Sequence, residues 1–151
     1  MTTTGRRLDL AQLAPEVYKA MIALDTAARK GLDPVLVELV LTRASQINHC
    51  AWCVDMHTRD AREIGVSEQK LFLLNAWEEA RGHFSAQERA ALALTEAVTV
   101  LTDGFVPDDV YAEAADHFTE AELAQLISVI LTINAWNRVA VTTRMAPPVR
   151  D

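Results

Sequence analysis

Helix-start punctuation recurs along this chain at intervals that leave room for little except helix and short connections. Asp33-Pro34 sets an N-cap carboxylate before a proline at the first helical position. Ser67 reads as the N-cap of a helix over 68–81, and Pro107 opens another reaching about His117. Ser85 with Glu88, and Thr119 with Glu122, repeat the Ser/Thr-x-x-Glu capping box, starting helices over 86–101 and 119–142. Upstream, 14–30 carries Val17, Met21 and Leu24 close to helical spacing and stops at Gly31. The run opened by Asp33-Pro34 covers 35–49, and a further helix runs from about Cys50 to just before Gly65. No segment alternates with period two between hairpin turns. The expectation is an all-α fold, a compact single domain of about seven helices over residues 1–151.

Half of the chain is hydrophobic, enough for a substantial core, and five Gly and five Pro are too few for a low-complexity chain. Only the first few residues and the Pro147-Pro148 tail read as candidates for disorder. With 21 acidic against 14 basic side chains the net charge is −7, which argues against nucleic acid or an anionic membrane as the main partner. The start of the chain lacks the apolar stretch of a secretion signal. The longest apolar stretch, 123–136, is interrupted by Gln125, Ser128 and Asn134 and is short for a bilayer span. A cytoplasmic location is therefore expected, and there a C-x-x-C pair is rarely a structural staple. The last helix is apolar nearly all round, as a central helix or one at a subunit interface would be.

The chemistry concentrates between Glu38 and His57. On a helix Cys50, Cys53 and His57 stand at i, i+3 and i+7 and share one face. Cα atoms three apart on a helix are about 5–6 Å apart, within disulfide reach. The positive end of the helix dipole favours the thiolate of a cysteine in the first turn. His57 lies one turn beyond Cys53, where it can exchange a proton with that sulfur. Glu38 has apolar neighbours on both sides in VLVELVL. A carboxylate is costly to bury unpaired, so it lies on a polar stripe or is protonated. Thr42, then Ser45 or Gln46, then His49 provide such a stripe towards Cys50. A carboxylate placed there could act as the base that activates a thiol.

The spacing Glu38-x11-Cys50-x2-Cys53-x3-His57 resembles the signature of the AhpD-like alkylhydroperoxidases of the carboxymuconolactone decarboxylase superfamily. The surrounding RASQINHCAWCVDMHTRDARE and the later AWNR at 135–138 are similar to that family too, over a core of about 15–145. The resemblance implies a thiol-dependent peroxidase or disulfide reductase whose subunits assemble into homo-trimers or homo-hexamers. It implies that Cys53, the more buried thiol, attacks the hydroperoxide and becomes a sulfenic acid. Cys50, nearer the surface, then condenses with it. Glu38 and His57 relay protons, no cofactor is bound, and an external dithiol, a lipoyl group on a carrier protein, supplies electrons. In the best-characterised members a histidine precedes the second cysteine; here that residue is Trp52, and His49 is the nearby imidazole that could compensate.

Plainer readings compete for each residue. The cysteines could be buried inert thiols, or could bind zinc with His57 and His49, although no second ligand pair completes such a site. Glu38 could be a surface carboxylate or an interface ion-pair partner, and Trp52 favours core or interface packing over a substrate wall. His83 and His117 fall at helix ends, while Asn134, Asn137 and Arg138 read as helix–helix or subunit contacts. Two other functions remain beside the peroxidase: a redox-sensing oligomer without turnover, and a decarboxylase acting on a lactone acid. The decarboxylases of this superfamily lack the C-x-x-C pair, which weighs against the second.

Overall fold

The computed structural model describes residues 5–150, all helix and connection. The reading of the first few residues as irregular falls on 1–4, outside the described range. A four-residue turn of helix, α1 (Leu10–Leu13), leads into α2 (Pro15–Ala28), α3 (Pro34–Ile47), α4 (Ala51–Glu63) and α5 (Glu68–Leu73). Two 3-10 turns, Leu74–Ala76 and Arg81–His83, connect to α6 (Ala86–Thr99), α7 (Asp108–His117) and α8 (Glu120–Thr143). Among the described residues the α-helices thus number eight rather than about seven, the extra one being the short α1.

The helix starts follow their caps. Asp33 accepts from the Val35 N–H, Ser67 from Lys70, and both capping boxes close, Ser85 with Glu88 and Thr119 with Glu122. Gly31, just past α2, has φ +79°, where a side chain would be strained. The exception is the helix expected over 68–81, which ends at Leu73. Beyond it the chain tightens to three residues per turn, bringing Leu71, Leu74 and Trp77 onto one buried face. An α-helix would have rotated that row out of the core.

Helix α3 is the centre. It packs against α4, α6 and α8, and every residue from Leu36 to Thr42 is buried. One side sends Leu39 into a cluster with Ala61, Leu71, Leu74, Trp77 and Leu92; the other sends Val40 and Leu41 against Leu94, Leu126, Ile130 and Ile133. Each fully buried aliphatic side chain contributes about 1.5–3 kcal/mol. Helix α8 is the other wall. Its 24 residues are long and apolar enough to cross a membrane by length and composition, longer than the apolar run suggests. One face is packed on α2, α3 and α6, while Leu131 and Val141 remain exposed, so it is a core helix on one face only.

The segments flanking the helices are tied down, the first to the end of α8 and the last to α4. The Arg7 N–H donates to the Thr143 carbonyl (2.8 Å), and Arg150 reaches Asp55 on α4 through two bonds of 2.7 and 2.9 Å. The tail after α8 has no regular structure, yet it is tied to α4 rather than loose.

Candidate active site

The turn between α3 and α4 is built by local backbone chemistry. Asn48 caps α3, and His49 takes a left-handed conformation, φ +53°, that reverses the chain. Among residues with a side chain, Asn, Asp and His tolerate that region best. Cys50 follows in extended conformation as the N-cap of α4; its N–H donates to the Ser45 carbonyl (2.9 Å) and its Sγ accepts from the Cys53 N–H (3.3 Å). The sulfurs of Cys50 and Cys53 are joined, with Cα atoms 5.3 Å apart. The i, i+3 spacing on α4 thus brings the pair within bonding range, and the two cysteines are not free thiols here.

His57 stands one turn further on, 3 % exposed, with Nδ1 3.0 Å from Glu38 Oε2. Glu38 is also buried, and its other oxygen accepts from Arg29 Nη1 at 3.1 Å. Arg29 is held in turn by Asp25, through Nε at 2.9 Å and Nη2 at 3.3 Å. Glu38 is therefore buried with a charge partner, a cation delivered from the end of α2. In the tautomer whose Nδ1–H donates to the carboxylate, Nε2 is left as the acceptor. Asp60 places an oxygen within 4.8 Å of the Glu38 and His57 ligand atoms, but both Glu38 oxygens are engaged, so a cation there would have to displace Arg29 or His57.

A cavity of about 510 Å³ opens beside this pair. Cys53 and His57 form part of its lining, and Trp52, Met56, Tyr18 and Trp136 supply much of the apolar wall. Tyr18 and Trp136 meet edge to face, centroids 5.4 Å apart. Trp52, read as a packing residue, lines the cavity.

Two expectations need correction. Cys50 is not the surface thiol of the pair: it is 1 % exposed against 2 % for Cys53, and only Cys53 lines the cavity. Ala140 of α8, Trp52 and Met145 of the tail pack around the disulfide and cover it. His49 does not compensate for the missing histidine. It is exposed and outside the cavity lining, and its role is the left-handed stop between the helices.

Thr42, one turn beyond Glu38, is fully buried, and its hydroxyl has no hydrogen-bond partner among the described residues. The Asn residues of α8 make the helix contacts expected of them. Asn137 donates to Ser45 Oγ (3.0 Å), and Asn48 Nδ2 donates to both Asn137 and Asn134 at 2.9 Å. That network locks α8 against the end of α3, just before Cys50. Sequence reasoning missed Arg29, Asp25, Tyr18 and Trp136. The carboxylate buried at Glu38 was the available signal, since it demands a cation; the aromatic pair carried no local signal.

Residues 15–97 match the model of the carboxymuconolactone decarboxylase family. The chain is 36 % identical over 138 residues to the uncharacterized protein YdfG of Bacillus subtilis, covering 91 % of this chain and 93 % of that one. It is 35 % identical over 102 residues to the uncharacterized protein YnjA of Escherichia coli, covering 68 % and 55 % respectively. Among solved structures it superposes with a TM-score of 0.93 on a protein of unknown function from Agrobacterium tumefaciens, put forward as the antioxidant defence protein AhpD. That match has 38 % identity and covers 97 % of this chain and 100 % of that one. An AhpD-core, peroxidase-related protein from Ralstonia eutropha shares the fold at a TM-score of 0.79 and 22 % identity, covering 92 % and 74 %.

Proposed function

From the premise that this chain belongs to the carboxymuconolactone decarboxylase family and has the AhpD-like fold, we propose that it is a thiol-dependent peroxidase cycling Cys50 and Cys53 between dithiol and disulfide. The observation that carries the reading is the buried Glu38–His57 pair, 3.0 Å apart, whose His57 lines the same cavity as Cys53, a cysteine able to bond its neighbour.

In this mechanism Glu38 and His57 take the proton of Cys53, and Arg29 holds the carboxylate in place through its bond to Oε1. The Cys53 thiolate attacks the terminal oxygen of a hydroperoxide. The O–O bond breaks, an S–O bond forms, and the alkoxide leaves as alcohol after taking the proton held by the pair. Cys53 is then a sulfenic acid. The Cys50 sulfur attacks it, the S–S bond forms, and the hydroxyl departs as water with the Cys50 proton. An external dithiol of lipoyl type returns two electrons and two protons, becoming a disulfide itself. Thiolate leaving groups are favoured at Cys50 by its place at the start of α4. Assembly into a homo-trimer or homo-hexamer belongs to this reading, supported by apolar residues left exposed on α2 and α8, Val17, Leu24, Leu131 and Val141.

The test is thiol titration of the reduced protein after one equivalent of cumene hydroperoxide, followed by turnover with dihydrolipoamide. Both thiols should be lost together, turnover should be sustained, and Cys53→Ser should abolish it. Thiols that do not react with the hydroperoxide refute the peroxidase; stoichiometric oxidation without turnover converts the reading to a redox switch.

A further inference from the structure

Buried hydroxyls on the helices of this protein follow a pattern. Ser45, Thr95, Thr132 and Thr143 each donate to the carbonyl four residues back, and Thr99 accepts from Asn134. Thr42 does neither. Its Oγ1 is sealed from water with no partner among the described residues, although the same return bond within α3 would cost nothing in sequence. A buried polar group left unpaired points to a partner present in another state of the molecule.

The register of α3 against α4 identifies that partner. The two helices run antiparallel through the short turn at Asn48–Cys50 and pack against each other. Away from the turn Glu38 meets His57, and at the turn the Cys50 N–H donates back to the Ser45 carbonyl and closes the end of α3, which fixes where the two helices diverge. One turn forward on α3 therefore corresponds to one turn back on α4. Thr42, one turn on from Glu38, stands level with Cys53, one turn back from His57.

We propose that Thr42 is the hydrogen-bond donor to the Cys53 thiolate, unpaired while the sulfur is bonded to Cys50 and engaged once the disulfide opens. This rests on the peroxidase reading only in taking Cys53 as the reactive thiolate. A disulfide sulfur is a poor acceptor and a thiolate a good one, so the same hydroxyl is idle in the oxidised protein and engaged in the reduced one. When an external dithiol breaks the Cys50–Cys53 bond, two electrons pass to the sulfurs and the donor becomes a disulfide. One proton goes to Cys50 and the other to the Glu38–His57 pair, leaving Cys53 as the thiolate that Thr42 holds.

The experiment uses a Cys50→Ser background, in which Cys53 is the chain's single thiol. The rate of its alkylation by iodoacetamide is followed against pH, with Thr42→Val and Thr42→Ser compared with the parent. Thr42→Val is expected to move the midpoint upwards by about one pH unit, a tenfold smaller thiolate fraction below the midpoint. Thr42→Ser is expected to restore the parent profile, and Thr42→Val made in the otherwise unaltered, oxidised protein should not lower the melting temperature, because there the hydroxyl has no bond to lose. Thr42→Ala replaces the Val variant if the added methyl disturbs folding. An unchanged midpoint in the hydroxyl-free variant, or a shift that Thr42→Ser fails to reverse, overturns the proposal. Failure of the peroxidase reading is read separately, as absence of hydroperoxide turnover in the otherwise unaltered protein.

Discussion

Replacing Glu38 by glutamine changes almost no volume and removes one of two acceptor positions. His57 Nδ1 and Arg29 Nη1 both approach as donors, at 3.0 and 3.1 Å, on different oxygens. An amide has a single oxygen, so it can serve one of them and must turn its NH₂ towards the other. The oxygen goes to His57, which is sealed from water, while Arg29, whose side chain is about a third exposed, keeps Asp25 and turns to solvent. The loss is one charge-assisted bond, worth about 1.5–3 kcal/mol in a buried setting. Partial exposure of the guanidinium discounts that to about 1–2 kcal/mol. For a chain of this size the melting temperature should fall by about 2–8 °C. Glu38→Leu removes both acceptors and leaves the His57 N–H unpaired, adding about 1–3 kcal/mol. Urea denaturation followed by far-ultraviolet circular dichroism gives the order wild type, then Gln, then Leu. A Leu variant as stable as the Gln variant would show that Glu38 does not hold His57. Hydroperoxide turnover should fall by about 10²–10⁴ in both, the range for losing a positioned acid–base group. Undiminished turnover in either variant would sink the proton-relay role.

Two further outcomes follow from the contacts around the site. Asn137→Ala removes one of the two acceptors of Asn48 and the donor to Ser45 in a buried network; it should cost about 1–3 kcal/mol in denaturation, and a loss below about half a kcal/mol would mean the network does not lock α8. The hydrogen bonds from Arg150 hold the Asp55 carboxyl below its ordinary value of 3.8, with the nearby charges of Arg150 and Arg59 adding to the effect. The depressed value means that the tie between tail and α4 is complete above the ordinary aspartate range and is lost only as pH falls through the lowered one. A carboxyl carbon titration by NMR should show Asp55 returning towards 3.8 in Arg150→Gln; an unmoved titration contradicts the clamp.

How much could be read without coordinates depended on the range of each interaction. Caps were legible because a Ser, Thr or Asp side chain bonds a backbone N–H two or three residues away, so Ser85 with Glu88 and Thr119 with Glu122 behave as written. Placing Cys50, Cys53 and His57 on one face needed only helical periodicity, and the 5.3 Å between the cysteine Cα atoms follows from it. The break after Leu73 was not legible, since it depends on which row of side chains the neighbouring core accepts. His49 was misread because a backbone role, a left-handed stop, looks the same in sequence as a side-chain role.

Whether Cys50 is open or covered was decided by Ala140, Trp52 and Met145, two of them from the far end of the chain. That Glu38 carries a charge partner was decided by Arg29 arriving from α2, and the cavity beside Cys53 by Tyr18 and Trp136 meeting across the fold. Local hydrogen bonding and helix geometry are properties of a few consecutive residues. Burial, charge pairing and cavity walls arise only when segments remote in sequence exclude water from the same place.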